Sequence, residues 1–351
     1  MKRIHVSSIL GIFLLCSFFY SCENEEVVDL NTDASIHSKN VLNASIGIIG
    51  DVTNISTNTS GGTLLMGGST DVDAAMLWML QKSGGGDIVV LRSTGTDAYN
   101  QYLFDLYAVN SVETLLIDSK EKANSPLTEA TIRNAEAVFI AGGDQYNYVS
   151  FWKDTKVENA LNYLRNIKKV VIGGTSAGCA IQGGIYFDAE NGTIRSEDAL
   201  RNPYHRNLTL QKHNFIDNPY LKNVITDTHY DDPDRRGRHI TFLARIHQDW
   251  GIRGKGIGVD ERTAVCIDET GKARVFGEGY AFFLNQYFYG PERCLPRRSL
   301  DWYRDQRAVE VYKASGTSNG SHYFMLDRWT TGSGGSWQYY YIDRGRLRIS
   351  Y

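Results

Sequence analysis

The sequence has little proline, little cysteine and no surplus of positive charge. Its 351 residues include 6 Pro against 34 Gly, 5 Cys, and 37 Lys+Arg against 40 Asp+Glu, so the net charge is −3. The shortage of proline excludes rigid Pro-rich linkers, and the lack of a basic surplus argues against a nucleic-acid partner. Hydrophobic residues make up 42% of the chain, which excludes a disordered protein and suffices for one large core.

The chain also has little apolar sequence of the length that crosses a membrane. A spanning helix needs roughly 20 apolar residues, and the apolar run at 9–20 is shorter. This run follows Lys2 and Arg3 and precedes an acidic stretch, a pattern typical of a secretory signal peptide. We therefore expect the protein to be exported.

The end of this apolar run, at 19–22, resembles a bacterial lipobox, in which the chain is cut before the cysteine and the cysteine is acylated. Residues 1–21 would then be removed and Cys22 lipidated, and several acyl chains together give stable anchoring. We expect a protein held by lipid on a bacterial membrane, at the outer membrane or the cell surface. An ordinary signal peptide with a chance cysteine is the alternative.

The remaining cysteines match no site pattern. With Cys16 removed and Cys22 acylated, Cys179, Cys266 and Cys294 are left, and their spacing fits neither a zinc site nor a redox pair. Cys179 and Cys266 lie in apolar runs, which favours a role as small buried packing residues.

Beyond residue 60, short apolar strands alternate with helical patterns. Runs rich in Val, Ile and Leu lie at 62–66, 87–91, 113–117, 137–140 and 169–172, and helical patterns lie at 71–81, 128–134 and 156–166. This alternation predicts an α/β fold with a mostly parallel sheet and helices on both faces. Later runs follow one another without helices, at 264–268, 273–277, 309–312, 322–326 and 337–342, which predicts an antiparallel β extension.

These patterns divide the chain into four predicted parts. They are a signal peptide at 1–21, a lipidated tether at 22–60, an α/β domain at 61–290 and a C-terminal β-rich extension at 291–351 packed on the same domain. The tether is predicted from its Asn, Ser and Thr content, with only a weak apolar stretch at 46–49.

A candidate nucleophile follows the strand at 170–172. The segment 174–178, Gly-Thr-Ser-Ala-Gly, matches the G-x-S-x-G pattern of a nucleophile elbow in its strand, turn and helix context. Small neighbours allow the sharp turn at Ser176, and the N–H groups of the following helix would face a developing oxyanion. A Gly-rich packing turn or a phosphate-binding loop is the alternative.

A serine at neutral pH needs a base and an orienting acid. His229 is the candidate base because it follows the short strand at 224–225 and precedes a helical pattern at 238–248. Glu261 is the candidate acid because it ends the strand-like segment 256–260. Asp260 and Asp188 remain open as alternative acids.

Five ordered motifs lie at predicted strand ends. They are Gly-Gly-Asp-Gln at 142–145, Gly-Thr-Ser-Ala-Gly at 174–178, Asp-Thr-His at 227–229, Arg-Gly-Arg at 236–238 and Gly-Val-Asp-Glu at 258–261. In this order they resemble the cyanophycinases, which belong to a serine peptidase family that also contains dipeptidase E. The resemblance covers roughly residues 60–290. It implies a fold related to class I glutamine amidotransferases, with serine in place of their cysteine, and a peptidase that needs no metal or other cofactor.

By these motifs the resemblance implies a role for each candidate. Ser176 would be the nucleophile, His229 the general base and then acid, and Glu261 the residue that orients the imidazole, with Asp188 as the alternative acid. The implied oxyanion donors are the N–H of Ala177 and one N–H from Gly142 or Gly143. The implied substrate-pocket residues are Gln145, Asp227, Arg236 and Arg238. A guanidinium fork suits the free carboxylate of an aspartyl substrate.

The sequence departs from the family pattern at three places around the histidine. Thr228 stands where cyanophycinases tend to have Gln, Thr241 stands where a further Arg is expected, and the acidic segment 231–234 resembles an insertion. We expect catalysis to be retained while the substrate differs from cyanophycin.

Three other functions remain open. They are a serine esterase or amidase of the α/β-hydrolase type, whose acid precedes its histidine, a cysteine enzyme that uses Cys179, and a surface-tethered binding protein without catalysis. The expected partners are an acidic peptide substrate and, through the lipid, a membrane. A homodimer is left open.

Overall fold

The computed structural model describes residues 42–351, so the predicted signal peptide and Cys22 lie outside the described residues. This part of the chain forms one compact unit, and it contains no helix with the length and apolarity of a membrane span. Its strands are β1 (Ser45–Gly50), β2 (Gly62–Met66), β3 (Asp87–Arg92), β4 (Ser111–Leu116), β5 (Ala137–Ile140), β6 (Val171–Thr175), β7 (Ile185–Phe187), β8 (Leu210–Lys212), β9 (Val224–Asp227), β10 (Lys255–Val259), β11 (Thr263–Ile267), β12 (Lys272–Gly277), β13 (Tyr280–Gln286), β14 (Val309–Ser315), β15 (His322–Met325), β16 (Gly332–Ser333), β17 (Gly335–Asp343) and β18 (Arg346–Ser350).

The helices of the described residues lie mainly between the early strands. They are α1 (Asp73–Lys82), α2 (Tyr99–Leu106), α3 (Lys120–Ala123), α4 (Pro126–Asn134), α5 (Gln145–Trp152), α6 (Lys156–Tyr163), α7 (Ala177–Ala180), α8 (Ser196–Arg201) and α9 (Arg236–Trp250), with a π-helical turn at Leu164–Lys168 after α6.

The first sheet has the strand order β1-β4-β3-β5-β6-β2-β11-β12-β15-β16. Its five central strands, from β4 to β2, are parallel. Their short runs of Val, Ile and Leu are buried because α1 and α2 cover one face and α4, α5 and α6 cover the other.

The second sheet has the strand order β18-β17-β14-β13-β10-β9-β7-β8. Apolar residues of β10 and β13 pack against those of β2 and β11, so the two sheets share a core layer. The apolar face of α9 covers the other side of the second sheet. The carboxyl ends of β6, in the first sheet, and of the parallel neighbours β9 and β10, in the second, carry the candidate site residues.

The prediction of a mostly parallel sheet is wrong for the whole molecule. Among the described strands, 6 of 16 pairings are parallel, and four of these lie in the centre of the first sheet. Parallel pairing needs a long crossover connection, which the helices α1 to α6 provide. Between β10 and β13 the connections are short, and consecutive strands such as β11 and β12 pair antiparallel.

One predicted boundary differs from the structure. Residues 45–50, assigned to the tether, form β1 and pair antiparallel with β4 at the edge of the first sheet. The residues after 291 form β strands that pair antiparallel with the preceding ones, β14 with β13 and β15 with β12. The C-terminal strands therefore extend both sheets.

Candidate active site

Ser176 lies on a sharp turn between β6 and α7. Its backbone has φ 52° and ψ −116°, a strained conformation for a residue with a side chain. The turn is tight enough that a Cβ on Gly174 would lie 2.4 Å from the carbonyl oxygen of Gly178, and a Cβ on Gly178 would lie 2.1 Å from that of Ile140. The two glycines of the G-x-S-x-G segment are therefore required by packing.

His229 contacts both Ser176 and Glu261. Its Nε2 lies 2.8 Å from the Ser176 Oγ, and its Nδ1 lies 2.6 Å from the Glu261 Oε1. When Nδ1–H donates to the carboxylate, Nε2 is left to accept the serine proton. The His229 and Glu261 side chains are 25% and 20% exposed, so the group is accessible from solvent.

The loop after β2 contacts both the backbone and the imidazole of His229. The His229 N–H donates to the Gly67 carbonyl at 2.8 Å. A Cβ on Gly68 would lie 2.5 Å from the imidazole ring, so only glycine allows this contact. Sequence reasoning gave Gly68 no role, although the Gly-Gly pair at a strand end is the signal that could have identified it.

The candidate oxyanion donors lie around the serine. Ala177 is the first residue of α7, and the N–H groups of a helix's first turn have no acceptor within the helix. Gly142 is adjacent, since a Cβ there would lie 3.5 Å from the Ser176 Cβ. The Tyr148 hydroxyl donates to the carbonyls of Ala141 and Gly142 at 2.8 and 3.0 Å. Because C=O and N–H point in opposite directions across a trans peptide, this contact turns the Gly143 N–H away from Tyr148.

Asp188 and Gln145 lie near each other and not against the histidine. The Asp188 carboxylate is buried and accepts hydrogen bonds from Thr209, from the Glu190 N–H at 3.1 Å and from Gln211 at 2.9 Å. The structure does not bring this alternative acid to His229, because the chain after β7 turns toward β8. Gln145 donates to the Phe187 carbonyl at 2.6 Å, which links α5 to the end of β7.

Asp227 and Arg238, both predicted to contact substrate, bind each other instead. Their side chains are 3% and 4% exposed, and the Arg238 Nε donates to the Asp227 Oδ2 at 2.9 Å within a two-pronged ion pair. The Arg238 Nη1 donates to Thr193 and to the Ile194 carbonyl. Burial by itself would raise the pKa of Asp227, but the Arg238 guanidinium holds that pKa below its ordinary value. The pair is a buried support for the strand that carries His229.

Arg236 also has a carboxylate partner, since it forms a two-pronged ion pair with Asp234 at 2.8 and 2.6 Å.

Arg235, which the sequence prediction left out, donates to the Thr228 carbonyl at 3.1 Å and forms no ion pair among the described residues. Burial and the neighbouring Arg238 charge lower the pKa of Arg235. It lines a cavity of about 580 Å³ together with Arg195, Ser196 and Arg238. Arg235 is therefore the available guanidinium beside the histidine.

Cys179 lies one turn beyond the serine and is fully buried. Cys266 and Cys294 are also buried, and none of the three forms a disulfide within residues 42–351. Burial, and then the charge of Asp227, raise the pKa of the Cys179 thiol. A protonated, inaccessible thiol does not act as a nucleophile, which removes the cysteine alternative.

The chain is similar in sequence to cyanophycinases. The cyanophycinase of Nostoc sp. strain PCC 7120 is 28% identical over 177 residues, which cover 50% of this chain and 54% of that protein. The cyanophycinase of Synechococcus elongatus is 26% identical over 206 residues, which cover 57% of this chain and 59% of that protein. The chain thus spans just over half the length of these curated relatives.

Among solved structures, a peptidase from an acI-B1 Actinobacterium aligns with a TM-score of 0.45 and 13% identity, over 64% of this chain and 90% of that chain. The model of peptidase family S51 matches residues 59–275, a segment that contains Ser176, His229 and Glu261. The resemblance of the sequence motifs to the cyanophycinases is confirmed. The chain belongs to peptidase family S51.

Proposed function

We propose that this protein is a serine peptidase that hydrolyses aspartyl-type peptide bonds, either β-aspartyl bonds or bonds after an N-terminal Asp. Ser176, His229 and Glu261 form its catalytic triad. The observation that carries the proposal is the continuous chain of short hydrogen bonds from the serine hydroxyl through the imidazole to the carboxylate. Membership of peptidase family S51 supports it.

In the proposed mechanism His229 accepts the Ser176 proton while the hydroxyl oxygen attacks the scissile carbonyl. The oxyanion is bound by the N–H of Ala177 and one from Gly142 or Gly143. His229 then protonates the leaving amine, and a water activated by the same imidazole releases the acyl group from the serine. General base catalysis contributes about 10² to 10⁴ in rate, and one oxyanion donor about 10² to 10³.

The substrate carboxylate binds Arg235. Arg236 and Arg238 are held by their own aspartates, whereas Arg235 lies beside the Thr228 carbonyl, one residue from the catalytic histidine. A guanidinium forms a two-pronged contact with a carboxylate, which favours an acidic residue next to the scissile bond. This assignment replaces the pair predicted from sequence.

The proposal includes three further elements. The chain is exported and anchored by lipid at Cys22, for which the pattern of the first 22 residues is the support. The central parallel strands with helices on both faces support a relation to class I glutamine amidotransferases. The hydrogen bond between His229 and Glu261 favours a triad whose acid follows the histidine, which disfavours an esterase of the α/β-hydrolase type.

The test is hydrolysis of a panel of dipeptides: β-aspartyl-arginine, α-aspartyl-arginine and alanyl-arginine. Wild-type protein should cleave an aspartyl dipeptide at least tenfold faster than the alanyl one, and Ser176→Ala should lose about 10³-fold or more in kcat while its thermal unfolding is unchanged. Glu261→Gln should lose activity while the matched variant Asp188→Asn keeps it. Full activity in Ser176→Ala would refute the mechanism, and no cleavage of any aspartyl peptide by the wild type would refute the specificity.

A further inference from the structure

A cavity of about 370 Å³ lies at the end of the first sheet opposite to Ser176. It is lined by the start of β2, the residues before β6 and the turn after β11, including Thr63, Lys169, Asn218, Asp268 and Glu269. The start of β6, at Val171, lies about 17 Å from Ser176, given a strand rise of about 3.3 Å per residue. The cavity is therefore separate from the candidate active site, and it has no role in the proposed mechanism.

The inner wall of this cavity carries Arg165, which is only 7% exposed. Its Nη1 donates to the Thr63 Oγ1 at 2.7 Å and its Nη2 to the Gln182 Oε1 at 3.1 Å, and both acceptors are neutral. The Nε–H is buried without an acceptor among the described residues. A guanidinium has five N–H donors, so most of its capacity is unused here.

Arg165 also has no carboxylate partner within residues 42–351. The charge of the Asp217 carboxylate acts on Arg165, but the two side chains form no ion pair. Burial lowers the pKa of Arg165 to about 10. A buried cation without a counterion is costly, so the residue is better explained by an anionic group that enters the cavity.

The neighbouring charges narrow the class of ligand. Lys169 is exposed at the rim and adds a second positive charge near Arg165. The opposite wall is acidic: Asp268 uses its Oδ1 in hydrogen bonds to the following turn, and Glu269 pairs with Lys82 at 3.1 Å. Lys82 neutralises Glu269, but Asp268 forms no ion pair within residues 42–351, so an ammonium group would be attracted to this wall through the Asp268 carboxylate.

We propose that this cavity is a second binding site for a small zwitterion, a free amino acid or a dipeptide, whose carboxylate contacts Arg165 and whose ammonium group contacts the wall of Asp268 and Glu269. The ion pair with the guanidinium supplies most of the affinity, because that contact is the more deeply buried of the two. The volume of the cavity accommodates a ligand of dipeptide size.

The test is calorimetric titration of alanyl-alanine into the Ser176→Ala protein, in which the ligand is not hydrolysed. Saturable binding is expected. Adding Arg165→Met should weaken the affinity for alanyl-alanine at least tenfold, since the buried charge pair between the guanidinium and the ligand carboxylate is lost. The matched control Arg235→Met removes the guanidinium next to His229 and should leave the affinity within about twofold. Loss of binding in Arg235→Met and not in Arg165→Met would place the dipeptide at the active site and overturn the proposal.

Ligand analogues test the two ends separately. Alanyl-alanine amide, which lacks the carboxylate, should bind at least tenfold more weakly, and N-acetyl-alanyl-alanine, which lacks the ammonium group, should also bind more weakly. Should Arg165→Met fail to fold, Lys169→Gln is measured instead and should weaken binding severalfold. Unchanged affinity in that variant, tighter binding of inorganic phosphate, or no saturable binding of the dipeptide would overturn the proposal.

Discussion

At the scale of single residues, burial and partners separate arginines that look equivalent in sequence. Arg238 forms a fully buried ion pair with Asp227, and Arg236 pairs with Asp234 at the surface. Within the described part of the chain, Arg235 makes one side-chain hydrogen bond, to the Thr228 carbonyl, and it lines the cavity that Arg195 and Ser196 also line. The sequence motifs predicted substrate binding by Arg236 and Arg238, the two arginines that already bind aspartates in the fold.

We expect Arg238→Met and Arg235→Met to have opposite consequences. Arg238→Met leaves the Asp227 carboxylate buried and unpaired, which should cost about 3–5 kcal/mol in the free energy of unfolding. Arg235→Met should change stability by less than about 1 kcal/mol and raise KM for an aspartyl dipeptide about tenfold or more. Urea unfolding and steady-state kinetics measure the two effects.

The control for both substitutions is Arg298→Met, at an exposed arginine outside the cavity that Arg235 and Arg238 line. It should match the wild type in stability and KM. Equal kinetic defects in Arg235→Met and Arg298→Met, or a stable Arg238→Met protein, would contradict the assignment.

Asp260, the neighbour of Glu261 in the chain, should make stability depend on pH. The Tyr280 N–H donates to its Oδ2 at 2.9 Å, while its Oδ1 is buried without a partner among the described residues. Burial, and then the charge of Asp231, raise the pKa of the Asp260 carboxyl to about 7. Between pH 4 and 7 the folded protein therefore holds a proton that the unfolded chain has released, so this contribution to stability is lost as pH rises through that window.

We expect Asp260→Asn to remove this dependence, because an amide does not titrate. The stability of the variant relative to wild type should rise by about 4 kcal/mol between pH 4 and pH 8. Chemical unfolding of both proteins at several pH values measures it, and the difference between them cancels the other titrating groups. Curves that remain parallel over this range would show that the pKa of Asp260 is ordinary.

At the scale of secondary-structure elements, the elbow between β6 and α7 depends on direct backbone contact. The first turn of α7 lies against the end of β5, where a Cβ on Gly178 would meet the Ile140 carbonyl at 2.1 Å. No side-chain rearrangement relieves a contact with backbone. The position of Ser176, the proposed nucleophile, is therefore set by the packing of a helix on a strand.

We expect Gly178→Ala to destabilise the protein by about 2 kcal/mol or more and to reduce kcat, because α7 must move away from β5. Gly61→Ala is the matched control, since its nearest atoms would lie 3.7 to 3.9 Å from the new Cβ, and it should be tolerated within about 0.5 kcal/mol. Thermal unfolding and dipeptide hydrolysis report the two effects. A Gly178→Ala protein with wild-type stability would show that the elbow is less tightly packed than this structure indicates.

At the scale of the whole molecule, the C-terminal strands are part of both sheets. Trp302, Val309, Tyr340 and Ile342 are fully buried in the same core cluster as the inner face of α9, the helix that begins seven residues after His229. Their removal would expose this face together with the edge of β13. The segment after residue 290 is therefore required for the part of the fold that carries the histidine.

We expect a chain that ends at residue 290 to lose cooperative unfolding, because the apolar surface that it exposes can no longer be buried. A chain that lacks only Tyr351, which is 89% exposed, should behave as the full-length protein does. Circular dichroism during heating distinguishes the two. Cooperative unfolding of the shorter chain would show that residues 291–351 form an independent layer.

The sequence by itself determined the features that depend on neighbouring residues. The strands β2 and β5 have the predicted bounds, and the predicted helices overlap α1, α4 and α6, because a run of Val, Ile and Leu or a helical period is visible locally. The Gly-Thr-Ser-Ala-Gly segment predicted a sharp turn at Ser176, since that requirement belongs to five consecutive residues.

Only the tertiary structure decided which distant residues meet. It brings Glu261 and not Asp188 to His229, occupies Arg238 with Asp227 while leaving Arg235 available, and adds residues 45–50 to the first sheet. Each of these outcomes depends on competition among several chemically suitable partners. The contact forms with the partner that strand order and helix packing bring within hydrogen-bonding distance, and residue identity does not encode that order.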